Sequence, residues 1–326
     1  MQRREFITLL GGGVVAPTML WPLAVRGQQL KVAQIGALYI GLSDGEVFKK
    51  ELREGLRELG YVEGQNIAFK FRSAEGKLDR LPELAAELVR LKVDVIVALY
   101  VPCALAAKQA TRDIPIVIIA ADPLETGIVP SLARPDGNIT GVSLMSAALA
   151  GKCVELFRDM LPATRHVTVL TNAADSLFAK VIREQVELAG RITGIEIQPI
   201  MVRGPDEELD AAFAAMVRGQ ADAVVIQGSL STKHIANLFL EHRLPAASTT
   251  RAFADNGGLM SFGADGPAAF RHGAKFVHKI LQGAQPKDLP IEQPTKFELV
   301  INLKTANALG LTVPPTFLSR ADLVIE

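Results

Sequence analysis

Cysteine is scarce in this chain of 326 residues: only Cys103 and Cys153 occur. Neither has a C-x-x-C neighbour or a metal-like companion, so they read as two free, buried thiols. A disulfide between them stays open if the chain is exported into an oxidising compartment. An excess of charge of either sign is also missing. Lys plus Arg number 35 and Asp plus Glu number 35, with a sequence pI near 7.0. That balance offers no basic field for nucleic acid or an anionic membrane. Aromatics are few, at 6%, with one tryptophan (Trp21) and three tyrosines (Tyr39, Tyr61, Tyr100). Beyond the N-terminal stretch, no apolar run approaches the roughly 20 residues that a membrane-spanning helix needs.

The common chemical motifs are absent too. Neither G-x-G-x-x-G nor a P-loop lysine motif is found, which leaves those kinds of nucleotide binding unsupported. The five histidines (His166, His234, His242, His272, His278) form no H-E-x-x-H. His234 and His242 share a helical face, but no carboxylate joins them at metal-ligand spacing. Gly141-Val142-Ser143 opens like a nucleophile elbow and lacks the closing glycine, so Ser143 reads poorly as a catalytic serine. No nucleophile–base pair emerges, and no enzyme, metal or cofactor is expected.

What is present is a large apolar content, 49%, over a length that suits about two domains. The N-terminus carries Arg3-Arg4, then a glycine-softened apolar run over 7–23, then Ala24-Val25-Arg26-Gly27. This pattern reads as a secretory signal over 1–27, cleaved before Gln28, too short and broken for a secure anchor. Arg3-Arg4-Glu5-Phe6-Ile7 resembles a twin-arginine signal; an ordinary secretory signal with paired arginines is the alternative.

Beyond residue 28, strands and helices alternate. The first half reads as strands over 31–38, 66–71, 93–99 and 116–121, with helices over 46–59, 78–91 and 102–111. Apolar spacing and a closing Gly60 mark the first helix. The second half reads as helix 148–161, strand 166–170, helix 176–191, strand 194–202, helix 205–218, strand 221–226, helix 232–242 and strands 245–249 and 258–262. A helix over 267–281, a turn-rich connector, a strand over 297–301 and a short helix over 304–309 follow. Asp94-Val95-Ile96-Val97 parallels Asp222-Ala223-Val224-Val225, and Ile114-Pro115 parallels Leu244-Pro245. The halves share an order of elements, which implies an α/β fold with two parallel sheets and right-handed crossovers.

The pivot is 114–143. A fully apolar strand there ends at Asp122-Pro123, and a turn-rich loop leads to an extended run that leaves one lobe for the other. Open α/β sheets bind ligands at strand carboxyl ends. The candidate ligand set is Tyr39, Tyr100, Cys103, Asp122 and Ser143 from the first half, and Asn172, Ser229, Thr250 and Phe262 from the second. Such a set suits holding a small polar ligand without transforming it. Asp122 would pair an ammonium, and helix starts after Tyr100 and Gly228 would hold a carboxylate. The bland alternatives are tyrosines that cover a sheet edge and an Asp122 that serves a turn or a helix cap.

Several segments carry a family resemblance: RREFITLLGG, GLRELGYVEGQNIAFKFRSAEGKLDRLPELAAELV, DP followed by TGIVPSLARPDGNITGVS, GGLMSFG, and LPIEQPTKFELVINLKTANALGLTVPP. Over nearly the whole chain the sequence resembles ABC transporter substrate-binding proteins of the TrpX-like family, which have a type I periplasmic binding protein fold. The resemblance implies two Rossmann-like lobes joined by a three-crossing hinge, 28–142 with about 265–295 and 143–264 with about 296–326. It also implies a periplasmic, monomeric protein without catalysis. Its partners would be a small-molecule ligand, amino-acid-like and in some members aromatic, and a membrane permease with its ATPase. A sensing domain of the same fold and an exported α/β enzyme are the other readings. The chain departs from the family at Tyr100-Val101-Pro102-Cys103, where a Gly-Thr-Pro-Ala-like turn is usual, at Tyr39-Ile40-Gly41, where the loop is often serine-rich, and at Cys153, where a basic residue is common.

Overall fold

The computed structural model describes residues 32–41, 44–203 and 208–326. The expected signal, with Trp21, lies outside them, as does the expected start of the 205–218 helix.

The first sheet contains β1 (Ala33–Tyr39), β2 (Ile67–Ser73), β3 (Val95–Leu99), β4 (Ile116–Ala120) and β5 (Ile139–Ser143) in the order β2-β1-β3-β4-β5, all parallel. β3 and β4 are buried along their whole length, as their unbroken apolar sequences require. Their side chains alternate between two cores. Val95, Val97 and Leu99 meet α1 (Gly45–Glu58) and α9 (Gly266–Leu281) on one face. Ile96 and Ala98 meet α2 (Leu81–Arg90) and α3 (Val101–Ala110) on the other. Each large side chain fully buried here contributes about 1.5–3 kcal/mol. The amphipathic stripe of α1, Phe48, Leu52 and Leu56, lies wholly inside. Arg271 on α9 pairs with the buried Glu51 of α1 at 2.5 Å and with Glu58 at 2.9 Å, tying the returning chain to this sheet.

The second sheet is built from β6 (His166–Asn172), β7 (Glu196–Val202), β8 (Ala223–Ile226), β9 (Ala246–Ser248), β10 (Met260–Ala264), β11 (Phe297–Asn302) and β12 (Leu323–Ile325). Its order is β12-β11-β10-β9-β8-β6-β7, and only the β10–β11 pair is antiparallel among the described strands. Around it lie α4 (Ser146–Met160), α5 (Ser176–Thr193), α6 (Leu209–Arg218), α7 (Lys233–Glu241) and α8 (Arg251–Asp255), followed by α10 (Leu303–Ala308) and α11 (Pro315–Leu318). α8, α11 and β12 are additions to the sequence expectation. They are five, four and three residues long, too short for a periodicity argument, so pattern alone does not mark them.

The repeated Asp-apolar pattern has a physical basis. Asp94 precedes β3 and accepts from the Gln34 amide of β1 at 2.8 Å. Asp222 precedes β8 and accepts from the Arg165 and His166 amides at 2.7 and 2.9 Å. In both halves a carboxylate satisfies backbone donors at the start of the neighbouring strand. Asp322 does the same for Leu299, at 2.8 Å.

The chain passes between the sheets three times: after β5, after β10, and after Glu292. The third passage is laid beside the first. Ser143 donates its amide to the Glu292 carbonyl at 2.9 Å, and Glu292 donates to that of Gly141 at 3.0 Å. Gly141 has φ of 140°, and a Cβ there would meet the Ile118 oxygen at 2.0 Å, so only glycine fits between the strands.

Candidate functional site

The carboxyl ends of β3, β4 and β5 are where the backbone leaves its ordinary range. Tyr100 (φ 75°), Asp122 (φ 42°) and Met145 (φ 54°) follow those three strands in turn. Non-glycine residues at positive φ cost energy and concentrate at ligand sites.

Asp122 ends β4, is 8% exposed, and accepts from the Ala147 amide at 2.8 Å. Ser146 and Ala147 open α4, so this carboxylate caps a helix that belongs to the next part of the chain. Burial pushes its pKa up to about 6, and the amides of the helix start hold it back. The carboxylate expected to meet an ammonium is thus occupied by backbone donors and is not on a cavity wall.

Between the two sheets lies a cavity of about 410 Å³. Asp44, Val47, Tyr100, Leu144, Pro267 and Phe270 reach it from the side of the first sheet. Thr249, Thr250, Arg251, Ala252, Asp255 and Asn256 reach it from the second. Next to it is an inner chamber of about 30 Å³, lined by Ile40, Val101, Asp175, Phe178, Gln227 and Ser229 among others. Tyr100, Ser146, Thr249 and Thr250 border both. The outer chamber falls within the volume range of small-molecule sites.

Its walls are mostly apolar, with charge of both signs. The Tyr100 hydroxyl donates to Asp44 Oδ2, while Asp44 Oδ1 is buried and meets no partner among the described residues. Burial raises the Asp44 carboxyl above its usual range, against the Tyr100 hydrogen bond. Burial, then the Asp44 charge, hold the Tyr100 phenol well above its own. Across the chamber, the half-exposed Arg251 reaches Asp255 at 3.3 Å and Glu298 at 3.2 Å. Behind the floor, hydroxyls are linked: Thr250 donates to Ser231 at 3.0 Å, and Ser231 meets Ser248 at 3.1 Å.

The inner chamber has an ordered polar side. The Asn172 amide donates to Gln227 Oε1 at 2.9 Å, and Gln227 Nε2 donates to Asp175 Oδ2 at 3.1 Å. Burial pushes the Asp175 carboxyl up to about 7.

Of the residues expected from sequence, Tyr100, Ser229 and Thr250 border these chambers. The others do not. Tyr39 turns into the core against Phe48, ring centroids 5.8 Å apart. Cys103 is wholly buried within α3, and burial raises its thiol well above the usual range. Ser143 is 1% exposed in β5, beside the Glu292 passage. Asn172 supports the site from behind, its side chain accepting from the Ala174 amide at 3.0 Å and donating weakly to Ser229 at 3.4 Å. Phe262 packs beside Phe297, centroids 6.2 Å apart. Cys153 is buried and free, as is Cys103. Asp44, Arg251 and Asp175 escaped the sequence reading. Asp44 does sit in the loop after the first strand, where a ligand-facing residue is expected. Phe270 comes from a distant helix and leaves no local signal.

The chain is similar to proteins of known ligand. It is 27% identical over 274 residues to a tyrosine-binding protein of Clostridioides difficile, covering 81% of this chain and 76% of that one. A Streptococcus pneumoniae ABC domain solved in complex with L-Trp is 25% identical with a TM-score of 0.84, covering 90% of this chain and all of that one. The leucine-binding protein LivK of Thermotoga maritima, at 17% identity and a TM-score of 0.54 over 78% of this chain and 77% of that one, shares the fold. That fold is the type I periplasmic binding protein fold. The family model described as ABC transporter substrate binding protein matches residues 46–325. Two largely parallel sheets on either side of a ligand-sized, chemically mixed cavity accord with that match, and the chain belongs to the ABC transporter substrate binding protein family.

Proposed function

We propose that this chain is the exported solute-binding component of an ABC importer. It captures an amino-acid-like ligand with an apolar or aromatic body between two lobes and delivers it to a membrane permease. The observation that carries the reading is the outer chamber itself. It is bounded from both sheets, walled by Val47, Leu144, Pro267 and Phe270, and holds Asp44 and Arg251. Asp44, with one buried oxygen that meets no partner among the described residues, takes the ligand's ammonium, and Arg251 takes its carboxylate. The apolar walls take the side chain. The tyrosine and tryptophan named for the two relatives support the aromatic class.

The lobes are 28–142 with about 265–295, and 143–264 with about 296–326, and they close on the ligand by bending at the three passages. No helix among the described residues is long and apolar enough to cross a membrane. The mature chain begins near Gln28 after export. Sequencing the N-terminus of protein from the periplasmic fraction tests this, and an intact N-terminus in the cytoplasm refutes it. For the ligand, a thermal-shift screen of L-tyrosine, L-tryptophan, L-phenylalanine and L-leucine against ribose and adenine is decisive. Stabilisation by an aromatic amino acid is expected. Stabilisation by a sugar or purine alone would overturn the amino-acid class.

A further inference from the structure

Tyr100 stands where the outer and inner chambers meet. Its backbone, φ 75° and ψ 161°, lies in a region open essentially to glycine. Both of its backbone polar groups are bonded. The amide donates to Ile119 at 2.8 Å, and the carbonyl accepts from Ala104 at 3.0 Å, so strand and helix together hold it there. Its hydroxyl is fixed on Asp44. A large side chain is therefore kept, against backbone preference, at the junction of two chambers of about 410 and 30 Å³.

We propose that Tyr100 is a specificity-determining partition: its ring separates the two chambers and limits the ligand to a length that the outer one accepts. The proposal rests on reading the cleft as the ligand site. Past the ring, the inner chamber presents Asp175, Gln227 and Ser229, hydrogen-bonding groups with room for little more than a water molecule. Removing the ring joins the chambers. A dipeptide, whose extra residue carries its ammonium further than that of the free amino acid, would then reach Asp175.

The test is calorimetric titration of L-tyrosine, L-tryptophan and dipeptides ending in either. Four proteins are compared: the parent, Tyr100→Gly, Tyr100→Phe, and Tyr100→Asn as the substitute should the glycine variant fold poorly. Dipeptide affinity relative to the amino acid should rise roughly tenfold or more in the Gly and Asn variants. It should stay within about twofold in Tyr100→Phe, which keeps the ring. An unchanged ratio in Gly and Asn overturns the partition, as does an equal rise in Phe, which would assign the effect to the hydroxyl. If the parent binds no amino acid, the proposed function fails separately. The partition is then judged without ligand, on crystal structures of the parent and Tyr100→Gly. Two separate chambers in the parent and one continuous chamber in the variant support it, and chambers already continuous in the parent, or still separate in the variant, overturn it.

Discussion

The hydroxyl of Tyr100 donates to Oδ2 of Asp44, a residue 56 positions earlier in the chain, and leaves Oδ1 of that carboxylate buried without a partner among the described residues. A buried carboxylate half-satisfied in this way is costly, and a cationic group delivered by a ligand would remove the deficit. This pair links the strained end of β3 to the start of α1 on the wall of the cavity.

Backbone strain at Tyr100 can be separated from loss of its side chain. Tyr100→Ala and Tyr100→Gly delete nearly the same atoms, but only glycine relaxes at φ 75° and ψ 161°. The glycine variant should be the more stable of the two by about 1–3 kcal/mol. Denaturant unfolding of both variants measures the difference, and a more stable alanine variant contradicts it.

Ligand affinity should depend on Asp44 and Arg251, not on Asp122. Asp44→Asn and Arg251→Ala should each weaken binding of the best amino acid by roughly tenfold or more, the loss of one charge-assisted contact. Asp122→Ala should instead lower stability by about 1 kcal/mol, as loss of a helix cap does, with affinity nearly unchanged. Titration calorimetry and unfolding on the same three proteins decide the matter. A large loss of affinity in Asp122→Ala would place the ammonium where the sequence first suggested it.

Asp175 ties stability to pH. Its folded-state pKa, about 7, lies above the ordinary 3.8, so the native state binds the proton more tightly than the unfolded chain does. Its stabilising contribution is complete below about pH 4 and is lost as pH rises through about 7. Asp175→Asn, which keeps an acceptor for Gln227, cannot titrate. Relative to the parent, the ligand-free variant should therefore melt higher at pH 8 than it does at pH 4.5. Asp122, at about 6, contributes in the same direction in both proteins and cancels in the comparison. A variant-minus-parent difference that does not change with pH would show that Asp175 titrates normally.

Closure is the remaining expectation. A ligand touching residues of both sheets binds the closed arrangement better and shifts the population towards it. Small-angle scattering should give a smaller radius of gyration at saturating ligand than without it. An identical radius in both conditions would argue against a hinge at the passages after β5, β10 and Glu292.

The local sequence determined much of this molecule. The apolar runs of β3 and β4, the stripe on α1 and the aspartates ahead of β3 and β8 are all periodic or adjacent features. Burial on one face or both follows directly from them, because side-chain direction repeats every two residues in a strand and every 3.6 in a helix. Open α/β sheets lead one to expect a ligand site at the strand ends, and Tyr100, Ser229 and Thr250 border the chambers there. What each polar group does at those ends was decided by tertiary structure. Asp122 was free, as far as its neighbours in sequence show, to face a ligand or to cap a helix; the arrival of α4, beginning at Ser146, settled it as a cap. Tyr39 and Tyr100 both end strands of one sheet, yet Phe48 draws the first into the core and Asp44 holds the second at the cavity. Phe270 enters the same wall from a helix that crosses back after β10. A hydrogen-bond partner or a wall contact is chosen by which elements meet in three dimensions, and separations such as the 56 residues between Asp44 and Tyr100 leave no trace in a local pattern.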